Sequence, residues 1–252
     1  MSRRFTVLSL LIIALGLTAL AGCGGSNSQV SGTYAKASSL RESGKHRRAV
    51  EAYSLFLRRS PTDSLAALAQ FEKALSYIEI KEYPLAVVEF QILRQEYPTN
   101  ELVEEAFFRE GEALLMQVNG IEKDITAAHE AREHFLSFLQ TYPASPFGNE
   151  ARTMLTDISD MVVRKHLRSA RFYRRMKKFE ASAIVLDRLL ETERRSGLVA
   201  EVLLERADMA RKMEVPEDEK DFLEQIVNDH AESPEAEKAR KRLKSFSVDE
   251  EA

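Results

Sequence analysis

Residues 32–61, GTYAKASSLRESGKHRRAVEAYSLFLRRSP, decide the fold, because the chain repeats their pattern 37 positions later. Shifted by 37, Ala37 falls on Ala74, Leu40 on Tyr77, His46 on Tyr83, Ala49 on Ala86, Tyr53 on Phe90, Phe56 on Leu93 and Pro61 on Pro98. Six of these seven pairs keep identity or size class. A second shift of 37 carries Ala74 to Gly111 and Tyr77 to Leu114. After eight further residues, around Val118 to Ile125, the pattern resumes with Ala131, Phe135, Phe138 and Pro143. A period of this length marks stacked supersecondary units, none of which can bury its apolar face alone. Small residues in both helices of a unit let two antiparallel helices approach, aromatic and leucine positions fill the seam, and proline ends the second helix.

The pattern resembles the tetratricopeptide (TPR) repeat, stretched from its usual length by a longer turn between units. The endings Glu96-Tyr97-Pro98-Thr99 and Thr141-Tyr142-Pro143-Ala144-Ser145 belong to it. The expected fold is therefore all-α, a TPR-like helical solenoid of about five helix pairs. A fourth unit places Ala170, Tyr173, Phe179, Ser182, Leu186 and Leu189 at the matching positions and uses Gly197 as its stop. A degenerate fifth runs over Leu198–Met213 and Glu217–His230, and Pro234–Phe246 reads as a charged cap helix. Gly148 to Lys177 carries no Pro or Gly after its start and predicts one long helix joining two halves. The expected organisation is repeats one to three over 33–147, the long helix, repeats four and five and the cap over 148–246, and an acidic tail over 247–252.

Ahead of the repeats, Arg3 and Arg4 precede an apolar run of sixteen residues, Phe5 to Leu20, that closes on Ala21 and Gly22. That order is a secretory signal over residues 1–22, and the run falls short of the roughly eighteen residues that a spanning helix needs. Leu20-Ala21-Gly22-Cys23 resembles the lipobox of bacterial lipoproteins. The likeness implies cleavage before Cys23 and a covalent lipid there, S-diacylglycerol on the thiol and N-palmitoyl on the new amino group. Cys23 is the chain's one cysteine, which excludes a disulfide within it. Two or three acyl chains, at roughly 0.8 kcal/mol per buried CH2, anchor a protein durably. Residues 23–32 then form a lipidated flexible tether, spanning roughly 15 to 18 Å as a coil from Gly24 onward. Gly24, where inner-membrane lipoproteins of this kind carry aspartate, favours the periplasmic face of the outer membrane.

Removing residues 1–22 takes away two arginines and no acids, leaving 34 Lys+Arg against 40 Asp+Glu, a net charge of −6. General nucleic-acid binding is disfavoured. His129 and His134 invite comparison with a zinc-protease motif, but that motif spaces its histidines by four, whereas five residues rotate these two by about 140° on a helix. His46, His166 and His230 stand apart and read as surface or seam residues. No phosphate loop, nucleophile elbow or paired-cysteine site appears, so neither an enzyme, a metal site nor a cofactor beyond the lipid is expected. Arg164, Arg168, Arg171, Arg175 and Lys178 recur at intervals of four, three, four and three, on one helix face opposite Val163, Leu167, Ala170 and Tyr173. Such a stripe is a solvated face, or a dock for an acidic protein or anionic lipid headgroups.

Tyr142-Pro143-Ala144-Ser145 followed by Phe147, and Ala170-Arg171-Phe172-Tyr173 leading to Phe179-Glu180-Ala181, resemble the BamD family of TPR lipoproteins, and the likeness extends over nearly the whole chain. It implies a non-catalytic scaffold of the machinery that inserts β-barrel proteins into the outer membrane, with partners in unfolded barrel proteins, the periplasmic domains of BamA and other subunits of that machinery. Gln70, Phe71 and Tyr77 on one first helix, with Phe107 and Phe108 on the next, become candidates for a cargo groove. Arg164, Arg168, Arg171, Arg175 and Lys178 become candidates for docking. The sequence departs from the family near Val185, where some relatives use an arginine toward BamA, and in Ser247–Ala252. Other readings are a different periplasm-facing TPR adaptor, such as an envelope or division coordinator or a secretion pilot, and a peptidoglycan- or lipid-binding module.

Overall fold

A computed structural model describes residues 33–118 and 125–249. Among the described residues there are eleven helices and no strand, an all-α array of the expected class. Five pairs follow in chain order: α1 (Tyr34–Glu42) with α2 (His46–Arg59), α3 (Ala66–Glu79) with α4 (Tyr83–Glu96), α5 (Leu102–Leu115) with α6 (Thr126–Thr141), α7 (Gly148–Arg175) with α8 (Phe179–Thr192), and α9 (Val199–Lys212) with α10 (Pro216–Asp229). A last helix, α11 (Pro234–Asp249), covers the final pair. Consecutive helices pack together, and first helices also meet their counterparts, α1 with α3, α3 with α5, α7 with α9. The signal, the tether, Cys23 and most of the insertion between Val118 and Ile125 lie outside the described residues.

The repeated positions form the core. Ala37, Ala49, Ala74, Ala86 and Ala131 are wholly buried, as are Tyr53, Phe90, Phe135, Leu93 and Phe138. In the fourth unit Ser182 replaces the small alanine, and its hydroxyl donates to the Ala170 carbonyl across the seam at 2.9 Å, which satisfies the buried oxygen. The fifth unit is more regular than the sequence suggests. Ala207, Leu223 and Ile226 fall 37 residues after Ala170, Leu186 and Leu189 and are buried, while Glu219 takes the place of Ser182 and meets Arg242 of α11.

Two kinds of turn set the period. Within four of the pairs the first helix ends in a left-handed residue, Gly44 (φ 71°), Lys81 (62°), Lys177 (54°) or Glu214 (63°). The next N–H returns to the helix in each case, Lys45 to Leu40 at 2.8 Å, Glu82 to Tyr77 at 2.9 Å, Lys178 to Tyr173 and Val215 to Ala210 at 3.0 Å. This is the Schellman ending. Between units, Asp63, Asn100, Ser145 and Ser196 accept from the backbone N–H two residues on, at Leu65, Leu102, Phe147 and Leu198. Gly197 is not the stop expected for the fourth unit: α8 ends at Thr192, and the Gly197 N–H instead donates to the Asp160 carboxylate at 2.9 Å, beside Ser196.

The α5–α6 connection is the exception, with ten residues (116–125) where the other pairs use three. The stretch expected to be one long helix is α7, 28 residues long. Its first half closes the core around Phe108 and Phe135 through Ala151, Leu155 and Ile158, and its second half opens the next unit through Val163, Leu167 and Ala170. α11 runs to Asp249, so residues 247–249, assigned to the acidic tail, are helical; the cap has no Pro or Gly to end it at Phe246.

Candidate binding surfaces

The residues expected to line a cargo groove are mostly core. Gln70 is buried, and its amide donates to the Glu89 carbonyl at 3.2 Å and to the Glu89 carboxylate, which Lys73 also contacts at 2.7 Å. Phe71 packs edge-on against Phe90 with ring centres 5.6 Å apart. Phe108 is enclosed by Phe135, Phe138 and Phe147. Phe107 is buried against Phe138 and Tyr142. Tyr77 alone is half-buried, against the core of the second unit, and burial above all, then Glu89 and Glu82, raises its phenol pKa. As a correction, Gln70, Phe71 and Phe108 cannot form a groove floor, and Phe107 offers only an edge. Aromatics repeated at helix spacing filled the seam, the larger source of burial.

What is open instead is a cleft of about 630 Å³ between α4, α5 and α6. Val103, Phe107, Pro98 and Tyr142 form its apolar wall, and Gln91, Gln95, Ser137 and Thr141 its polar rim. Its base is a charged network. The Arg94 guanidinium lies 3.5 Å over the Phe107 ring and donates to Glu110 Oε2 at 2.5 Å, while Gln91 donates to Oε1 at 2.8 Å. His134 Nε2 is 2.7 Å from the Phe107 carbonyl oxygen, which can only accept, so Nε2 carries the proton. Burial lowers the His134 pKa, Glu110 and the carbonyl oppose that, and Arg94 adds to it. Leu85, Val88 and Ile92, spaced as one stripe on α4, are exposed. An apolar wall with amides and hydroxyls at its rim suits a polypeptide segment.

A second opening, of about 420 Å³, lies between α6, α7 and α8. Arg132 crosses it with two hydrogen bonds to the buried Glu193 carboxylate, at 3.0 and 2.7 Å. Val162, Ile184, Val185 and Leu189 supply apolar surface, and His129, His166 and Arg188 supply cationic or neutral nitrogen. Burial, then Lys165, Arg188 and His129, lower the His166 pKa. A smaller neighbouring cleft adds Leu136, Arg194 and Arg195. Val185 is therefore at an open and locally positive surface. Sequence gave no sign that these residues share a surface, because segments 61 residues apart, joined by Arg132 and Glu193, assemble it.

The arginine stripe divides into two kinds of residue. Arg171 donates to Glu205 at 2.8 Å and to Glu201 at 2.6 Å, and Arg174, which the periodic stripe passed over, donates to Glu205 at 2.6 Å. These bonds tie α7 to α9. Arg171, expected as a docking residue, is thus committed within the fold, and Arg164 pairs with Asp160 at 3.4 Å. Arg164, Arg168 and Arg171 nevertheless border a cleft of about 310 Å³ with Leu167, Leu198 and Glu201. Arg175 and Lys178 are exposed at the end of the helix.

A family model described as YfiO, outer membrane lipoprotein, matches residues 26–221, which take in four helix pairs and enter the fifth. The chain belongs to the YfiO family. Both open clefts fall inside the matched YfiO region. Relatives include outer membrane protein assembly factor BamD of Neisseria gonorrhoeae, 22% identical over 194 residues and 73% of each chain. A second is outer membrane protein assembly factor BamD of Neisseria meningitidis serogroup A, 23% identical over 180 residues, which are 68% of this chain and 67% of the relative.

Proposed function

We propose that this protein is a non-catalytic scaffold of outer-membrane β-barrel assembly, lipid-anchored through Cys23 to the periplasmic face of the outer membrane. The observation that carries the reading is the match of residues 26–221 to a family of outer membrane lipoproteins, supported by relatives named as outer membrane protein assembly factors. Two of the fold's clefts differ in chemistry and lie on one stack of helices, an arrangement suited to bringing two polypeptides together. The cleft of Phe107, Tyr142, Gln91 and Gln95 is proposed to seat a segment of an unfolded barrel protein, its wall taking apolar side chains and its rim amides bonding the peptide backbone. The opening around Ile184, Val185 and Arg188 is proposed to dock a BamA-type periplasmic domain through an apolar centre and a positive rim.

Photocrosslinking in cells tests the assignment. A crosslinking side chain at Gln95 should trap barrel proteins during export, and one at Ile184 should trap the barrel-forming subunit. Products exchanged between the two sites, or neither class at either, would overturn it. Cys23→Ser should release the protein into the soluble periplasm, and retention in the membrane fraction would count against the anchor.

A further inference from the structure

The last turn of α7 and the turn that follows form a patch used by neither opening. From Val162 to Lys178 the chain holds eight Lys or Arg residues and no Asp or Glu, in a protein whose net charge is −4. Arg164, Arg171 and Arg174 are held by Asp160, Glu201 and Glu205. Arg175, Lys177 and Lys178 are exposed at the helix end, and beside them Phe172 and Met176 are 51% and 57% exposed. Residues 172, 175 and 176 are neighbours on one helical surface, and the turn sets the two lysines at its tip.

Side chains as large as Phe172 and Met176 standing this far out make a projecting corner. A protein partner would have to bring a fitted pocket to it, whereas a lipid surface accommodates a projection of any outline. Apolar side chains ringed by Lys and Arg are also the composition of interfacial membrane contacts. The rings and thioethers enter the boundary between headgroups and acyl chains, and the cations reach the phosphates. Because the protein as a whole is anionic, the attraction has to come from local basic clusters, and this one is the cluster with large apolar side chains standing out beside it.

We propose that the α7 tip is a membrane contact, in which Arg175, Lys177 and Lys178 bind anionic phospholipid headgroups and Phe172 and Met176 insert shallowly among them. The contact is independent of the assembly function and survives if that reading fails.

The chain has no tryptophan, so Phe172→Trp creates a single reporter in the full protein. Mixed with vesicles containing phosphatidylglycerol and brominated acyl chains, its indole should shift its emission to shorter wavelength and be quenched by bromine. Both effects should fade at high salt, in phosphatidylcholine vesicles, and when Arg175→Glu, Lys177→Glu and Lys178→Glu are added. A separate Ile184→Trp reporter, at a side chain 68% exposed on α8, should remain unquenched, which separates tip insertion from general adsorption. Equal quenching at both positions, quenching that ignores phosphatidylglycerol, or no quenching at 172 with helicity intact would overturn the proposal. So would shielding of the 172 indole from aqueous iodide by an acidic protein without any bromine quenching, which would assign the corner to a protein partner.

Discussion

Gly111 and Phe135 touch so closely that a Cβ on the glycine would stand 2.7 Å from the Phe135 ring. The other units place Ala37, Ala74, Ala170 and Ala207 at this position, so the third unit has given up one methyl group to admit a phenylalanine edge. A helix-internal glycine costs about 0.5–1 kcal/mol relative to alanine, and here the packing of Phe135 outweighs it. Gly111→Ala should therefore destabilise the protein by about 1–3 kcal/mol through overpacking, despite its better helix propensity. Chemical denaturation measures the sign, and a stabilised variant would mean that the ring can move aside.

The left-handed turn residues predict the opposite sign. Lys81 and Glu214 hold φ of 62° and 63° where the first unit uses Gly44. Lys81→Gly and Glu214→Gly should each stabilise by about 0.5–1 kcal/mol, and Gly44→Ala should destabilise by about 1 kcal/mol. The three differences in denaturation midpoint check the Schellman assignment together.

The Arg132–Glu193 pair joins α6 to the end of α8, and the carboxylate is only 4% exposed. Arg132→Ala strands that charge and should cost about 3 kcal/mol, whereas Arg132→Met combined with Glu193→Leu should cost less than the single change. A double-mutant cycle decides it, and additivity would show that the pair contributes no coupling.

His134 and His166 make stability depend on pH. Both have pKa values lowered from 6.5 in the fold, chiefly by burial, so the unfolded chain takes up protons first as pH falls. Their contribution is present above about pH 6.5 and is lost as pH drops toward their folded values. His134→Gln should flatten the stability profile as pH falls below about 6.5, relative to the unaltered protein. An unchanged slope would place the titration elsewhere.

The fold was legible because the same few positions recur: the alanines and aromatics of Ala37, Ala49, Tyr53 and Phe56 reappear at fixed spacing, and every such position is buried. The fifth unit was legible too, through the same shift from Ala170 to Ala207 and Leu186 to Leu223, but Glu219 at a small-residue position disguised it. The surfaces were not. An aromatic that lines a groove and one that fills a seam have the same periodicity, so Phe71 and Phe108 carried no mark of which they are. The openings are made where separate helices meet, as Arg94 of α4 over Phe107 of α5, or Arg132 of α6 with Glu193 after α8, and no local pattern encodes such a meeting. Arg171 looked free in the stripe because its partners Glu201 and Glu205 lie 30 and 34 residues on.

The proposed role of this stack of helices is in barrel assembly at the outer membrane. Purification of the protein from detergent-solubilised membranes, with identification of what accompanies it and measurement of outer-membrane barrel levels after its depletion, tests that directly. A scaffold of barrel assembly should bring the BamA subunit with it, and its depletion should lower the level of barrel proteins. A purified complex without BamA, together with unchanged barrel levels on depletion, would contradict it.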